Sequence, residues 1–152
     1  MSEITLRPGT ATDVEALYAL DILCFDKPFR FDFRSMRKYA THPEAIVLIA
    51  EIDSEIRGFI VVNPKRPSAL QSAYVTTLDV QPDFRRKGMA RLLMLEAERL
   101  AAASGAVTMQ LHVHTGNESA IAFYESAGYE QLLLTEDFYN TGLHAFAYLK
   151  SL

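Results

Sequence analysis

Arg85, Arg86 and Lys87 stand in a row and are followed by Gly88, Met89 and Ala90, a grouping whose chemistry is the holding of a phosphate. The run lies between a stretch of strand character and a stretch of strong helix character, so the cations sit at a helix start. There, unpaired N–H groups and the positive end of the helix dipole already favour an anion. Gly88 lets backbone approach that anion closely, small Ala90 does not obstruct it, and the cations add charge-assisted hydrogen bonds. On physical grounds 85–90 is a pyrophosphate cradle. The plainer alternative, a basic loop capped by a chance glycine, is weakened by the strand and helix on either side. Two other phosphate loops are excluded, because neither Gly-x-x-x-x-Gly-Lys-Ser/Thr nor an early Gly-x-Gly-x-x-Gly occurs.

A second grouping is Asn117, Ala120 and Tyr124. Ala120 and Tyr124 are four residues apart and share a helix face, and Asn117 is placed to cap that helix. By spacing alone Tyr124 reads more readily as a core tyrosine than as a reactive one. His112 lies within an apolar strand-like run, where a histidine is either structural or a base titrating near neutrality. His42, His114 and His144 lack metal-ligand spacing and read as surface or loop residues, so no metal site is expected. Cys24 is the single cysteine, which rules out an intrachain disulfide or thiolate cluster and reads as a small buried hydrophobe.

The elements that must position these residues follow from periodicity. Ile4 and Leu6 alternate with polar residues as a first strand, and Thr10 or Thr12 can cap a helix starting near Asp13 and running towards Cys24. Pro28 interrupts it among Phe25, Phe29, Phe31 and Phe33, and a short helix is expected over 33–40. That aromatic segment is either a loop pinned to the core by its rings or a substrate-facing wall. Strands are expected over 45–52 and 56–62, turned by Asp53, Ser54 and Glu55 and ended by Pro64 and Pro67, then over 72–80. The run 88–104 is the strongest helix, rich in Ala, Leu, Met and Glu. A strand over 109–113, a helix over 119–127 and strands over 131–134 and 145–149 complete an alternating α/β order. No composition break divides 1–152, which reads as a single domain.

The 152 residues are 49% hydrophobic and 22% charged, the balance of an ordered globular chain able to bury a core. With a net charge of −4 and charges of both signs intermingled, nucleic acid is not expected as a partner. The segment 1–12 lacks the pattern of an export signal and no apolar run approaches ~20 residues. The chain therefore reads as soluble and cytoplasmic, with no membrane partner.

The stretch Leu78-Asp79-Val80-Gln81-Pro82 leading into Arg85, Gly88 and Ala90 resembles the GNAT N-acetyltransferase family, whose signature is Arg/Gln-x-x-Gly-x-Gly/Ala between a strand and a helix. Asn117-x-x-Ala120-x-x-x-Tyr124, followed by Gly128-Tyr129, is similar to that family's second motif. The resemblance implies a mixed, mostly antiparallel sheet splayed between the fourth and fifth strands and flanked by about four helices. It implies acetyl-CoA as co-substrate, its pyrophosphate in the cradle formed by Arg85, Arg86, Lys87, Gly88, Met89 and Ala90. Backbone groups of Leu78 and Val80 would pair with the pantetheine arm and hold the acetyl oxygen. Asn117 would touch that arm, Ala120 would leave room for it, and Tyr124 would stand beside the sulfur as the proton donor to the departing thiolate.

Within the family the chain most resembles the branch acetylating protein N-termini, including the ribosomal-protein-alanine acetyltransferases, through the Phe123-Tyr124-Glu125-Ser126 run and the late pair Phe138-Tyr139. That branch commonly carries a fifth-strand glutamate as base, and here Leu111-His112-Val113 puts His112 in its place. The implied reaction is direct attack of a primary amine on the thioester, with a protein or peptide α-amine preferred and Phe29, Phe31 and Tyr139 as walls. A small-molecule amine acceptor and a non-catalytic acyl-CoA sensor are the alternatives, and either a monomer or a dimer is compatible with the sequence. An α-amine is roughly one-fifth neutral at pH 7.4 whereas a lysine is about one-thousandth neutral, so a weak base suits the former.

Overall fold

The computed structural model describes residues 3–65 and 71–152. Pro67, expected to help end the third strand, lies outside them. The element order is β1 (Thr5–Pro8), α1 (Val14–Cys24), α2 (Phe33–Ala40), β2 (Ile46–Ile52), β3 (Glu55–Pro64), β4 (Ser72–Val80), α3 (Met89–Ala103), β5 (Thr108–His114), α4 (Glu118–Ser126), β6 (Glu130–Asn140) and β7 (Leu143–Ser151). This is the order expected from periodicity. The strands form one sheet ordered β1-β2-β3-β4-β5-β7-β6, antiparallel except for β4 beside β5.

Local chemistry explains the boundaries. Thr10 and Asp13 form a capping box around a short 3₁₀ turn that feeds α1, and Asp32 accepts a bond from the Ser35 N–H at 2.7 Å to start α2. The β2–β3 turn is one residue tighter than expected. Glu55 already pairs with Ile52, and Asp53 and Ser54 both take positive φ, the geometry of a two-residue hairpin loop.

A core lies on each face of the sheet. Leu93, Met94, Ala97, Met109, Leu111 and Tyr148 fill the α3/α4 side, and Leu17, Met36, Ile49, Phe59 and Val61 fill the α1/α2 side. A bulge in β4 exchanges its faces midway. Val62 pairs with Val75 but Val61 pairs with Thr77, so Thr76 is the extra residue. Val75 joins the α3 core while Thr77 and Asp79 turn to the α1 side.

The parallel ladder between β4 and β5 covers only Ser72↔Thr108 to Tyr74↔Gln110. Past Tyr74 the two strands part, which is the expected splay between the fourth and fifth strands. No helix among the described residues is long and apolar enough to cross a membrane.

Candidate active site

The cradle is built by the sharp passage from β4 to α3. Pro82–Phe84 makes a 3₁₀ turn, Arg86 adopts φ 64° and Gly88 φ 84°, and Gly88 stands as the N-cap of α3. A β-carbon built on Gly88 meets nothing within 4 Å, so this glycine is required by its left-handed backbone and by access from outside, not by packing. The first helical bond runs from Leu92 N–H to the Gly88 carbonyl. The N–H groups of Met89, Ala90 and Arg91 are therefore left at the helix start to meet an anion. Arg86 and Lys87 are exposed, while Arg85 turns its Nε back to the Val80 carbonyl at 3.0 Å and fixes the loop to the strand end.

Met89 enters this cradle through its backbone alone. Its side chain is buried in the core, and a β-carbon at Gly58 of β3 would come within 2.7 Å of its sulfur and 2.9 Å of the Asp79 carbonyl. Gly58 is thus the seat on which the α3 start rests. No spacing in the sequence marks it.

Strand alternation sets which backbone groups of β4 face the splay. Gln81 N–H bonds to the Arg57 carbonyl at 2.8 Å and Asp79 pairs with Phe59. The polar groups of Asp79 and Gln81 therefore point to β3, and those of Leu78 and Val80 point to the gap. The Val80 carbonyl already accepts from Arg85 and from the Cys24 thiol at 3.3 Å. Its N–H and the Leu78 backbone remain.

Across the gap, the Asn117 side-chain oxygen caps α4 by accepting the Ala120 N–H at 3.2 Å. Its amide nitrogen is left for other partners. Ala120 packs against the α3/α4 core. Tyr124 is half-buried between the rings of Phe123 at 5.4 Å and Tyr129 at 6.1 Å. Burial, reinforced by Tyr139, Asp79 and Tyr74, pushes its phenol well above the usual range. Tyr124 therefore keeps its proton at neutral pH.

On the α1/α2 side of the gap the rings converge. His112 Nδ1 lies 2.7 Å from the Tyr74 hydroxyl, and its imidazole stacks on Phe138 with centroids 4.1 Å apart. Phe29 meets His114 at 4.6 Å and Tyr139 at 4.9 Å, and Phe138 meets Tyr139 at 4.9 Å. Burial first and the Lys65 charge second hold the His112 pKa below its usual 6.5, so the ring is neutral at neutral pH and able to take a proton. Burial raises Tyr139 to about 12 and raises Tyr74 further, which keeps both as phenols.

Three differences from the sequence reading stand out. Phe31 is not in this ring group: it packs on Tyr39 at 5.7 Å against the α1/α2 core. His114, read as a surface or loop residue, belongs to the group, whereas His42 and His144 do hold loops, accepting the N–H groups of Glu44 and Asp137. Tyr74 is new, and only the parallel register that sets it beside Gln110, two residues before His112, reveals it.

The family model described as the acetyltransferase (GNAT) family matches residues 14–129. An N-alpha-acetyltransferase of Sulfurisphaera tokodaii is 24% identical over 155 aligned positions, 95% of this chain and 90% of the relative. A [ribosomal protein bS18]-alanine N-acetyltransferase of Salmonella typhimurium is 35% identical over 72 residues, 47% of this chain and 49% of the relative. Among solved structures, Arabidopsis thaliana NAA60 in complex with acetyl-CoA superposes with a TM-score of 0.85 at 19% identity, over 99% of both chains.

Proposed function

Because the chain belongs to the GNAT acetyltransferase family, we propose that it transfers an acetyl group from acetyl-CoA to the N-terminal α-amine of a protein or peptide, with 1–152 acting as one domain. The observation that carries this reading is the Tyr74–His112 pair, 2.7 Å apart and set among the aromatic rings of Phe29, Phe138 and Tyr139. Such a pair supplies a neutral base where the sequence lacks the glutamate of related enzymes. The named activities of the Sulfurisphaera and Salmonella relatives support the acceptor class.

Acetyl-CoA supplies an activated thioester. The α3 start and the exposed Arg86 and Lys87 hold its pyrophosphate, with Arg85 shaping the loop. The gap-facing backbone of Leu78 and Val80 and the Asn117 amide hold its arm, and Ala120 leaves the space for it. The open cradle at Gly88 and the unladdered edge of β4 fit that role. His112 takes the proton of the incoming amine directly or through a water, and Tyr74 fixes the ring through Nδ1 or passes the proton to it. Tyr124 gives a proton to the departing thiolate. A base weakened by burial suits an α-amine, roughly one-fifth neutral at pH 7.4, far better than a lysine. Phe29, Tyr139 and His114 line the acceptor side, a role Phe31 does not share.

The test is thiol release from acetyl-CoA with peptides bearing free N-termini, beside N-blocked lysine peptides and small amines. Turnover with free N-termini alone is expected. Turnover confined to small amines would move the acceptor class, and binding of acetyl-CoA with no turnover on any acceptor would favour a sensor.

A further inference from the structure

Two carboxyl groups that this chemistry does not use are fully buried, Asp21 of α1 and Asp79 of β4. The β4 bulge at Thr76 turns Asp79 to the α1 side, where its carboxyl faces that of Asp21. Two of their four oxygens have other donors: Asp21 Oδ2 accepts the Phe31 N–H at 2.8 Å, and Asp79 Oδ1 accepts the Thr77 hydroxyl. The other two, Asp21 Oδ1 and Asp79 Oδ2, are enclosed without a donor. Leaving two ionised carboxylates so placed is strongly unfavourable, and a single proton between these two oxygens satisfies both.

The surrounding groups agree. From α1 the Cys24 thiol faces the pair, but its hydrogen is given to the Val80 carbonyl and burial lifts its pKa to about 12. From the cradle loop Arg85 contributes the one positive charge that acts on Asp79 among the described residues, and from α4 the Tyr124 hydroxyl stays neutral. One cation faces two carboxyls, so one of them retains a proton.

The position of the pair gives it a consequence for transfer. Asp21 holds the backbone of Phe31, two residues from Phe29, whose ring lines the acceptor side. Asp79 lies between Leu78 and Val80, whose backbone faces the gap. We propose that Asp21 and Asp79 share one proton and act as positioning residues, a latch fastening the acceptor-side loop between α1 and α2 to the donor strand β4. The functional part of this statement rests on the acetyl-transfer reading above. Burial and the facing Asp21 carboxyl raise the Asp79 pKa well above the ordinary carboxylate range. The latch is therefore closed below that raised value and opens as pH rises through it, when two like charges replace a shared proton.

The experiment is a carboxyl-carbon NMR titration of aspartate-labelled protein, with Phe31 amide exchange followed over the same pH range, for wild type, Asp21→Asn and Asp79→Asn. In wild type one buried carboxyl should titrate far above the others, and Phe31 protection should fall roughly fivefold through that step, the order expected for one hydrogen bond. Asp79→Asn, whose amide donates to Asp21 Oδ1 without a titrating proton, should abolish both the step and the pH dependence of Phe31. The acceptor KM should rise by a similar factor above that step in wild type relative to Asp79→Asn, a ratio from which the amine's own titration cancels. Ordinary titration of both carboxyls in wild type, or identical Phe31 pH dependence in wild type and Asp79→Asn, would overturn the latch. The NMR and exchange readings need no acceptor, so they stand apart from any failure of the acetyl-transfer reading.

Discussion

Burial disfavours the charged form of both Tyr124 and His112 and so shifts their pKa values in opposite directions, the phenol up and the imidazole down, leaving both neutral. A neutral phenol and a neutral imidazole on two sides of one gap suit the proposed amine acceptor, whose attack must lose a proton while a thiolate gains one. Tyr124→Phe removes only the donated proton and should lower kcat on the order of 10²-fold while leaving the Kd for acetyl-CoA unchanged, read by single-turnover kinetics beside equilibrium binding. His112 accepts only when unprotonated, so kcat should fall as pH drops through its pKa. Because that pKa is depressed, the acid limb should lie below pH 6.5 at saturating peptide, and it should vanish in His112→Ala along with most of the rate. Tyr74→Phe leaves the imidazole without the partner at Nδ1, and a smaller loss, about tenfold, is expected together with a displaced limb. None of this second layer is legible from spacing. Tyr74 and His114 carry no motif, and their place depends on the register between β4 and β5, two strands far apart in sequence.

At the scale of elements the sequence is most legible where one element carries its own signals. α3 lies within the expected 88–104 and α2 matches 33–40 because their caps and periodicity are local. β6 is the counterexample. It was expected over 131–134 but runs over Glu130–Asn140, since as an edge strand with register shifts after Gln131 and Thr135 it shows no clean alternation. Its extension is what carries Phe138 and Tyr139 into the ring group. Gly58 escapes the sequence for a related reason, because its need for a missing side chain comes from Met89 on another element and from the Asp79 backbone. Gly58→Ala forces a β-carbon against a carbonyl that cannot swing away, and a loss of about 1–3 kcal/mol is expected by urea unfolding. The strain falls on the seat of the cradle, so the KM for acetyl-CoA should rise more than that for the peptide.

At the scale of the molecule, a sheet opened between β4 and β5 needs another connection between its halves. The strands share only three registered pairs and the bond between Ser72 and Thr108 hydroxyls at 2.9 Å. α3 packs on β2, β3 and β4, and from its inner face nearly buried Glu98 reaches the other half, accepting from Lys150 of β7 at 3.0 Å and from the Tyr129 hydroxyl at 2.7 Å. Lys150 also donates to the Ala127 carbonyl at the end of α4, at 2.8 Å. The cluster thus joins α3, α4 and β7 behind the gap, and its partners are dispersed over the chain, which hides it from any local reading. Lys150→Met keeps the apolar stem but strands the Glu98 carboxylate. Because Lys150 is partly exposed, the expected loss is about 2–3 kcal/mol, short of a fully buried pair, or roughly 5–10 °C in Tm for a chain of this length. Adding Glu98→Gln should recover part of that loss by removing the stranded charge. A double variant as unstable as the sum of the two singles would mean that Lys150 and Glu98 are not coupled and that the ion pair does not join the halves.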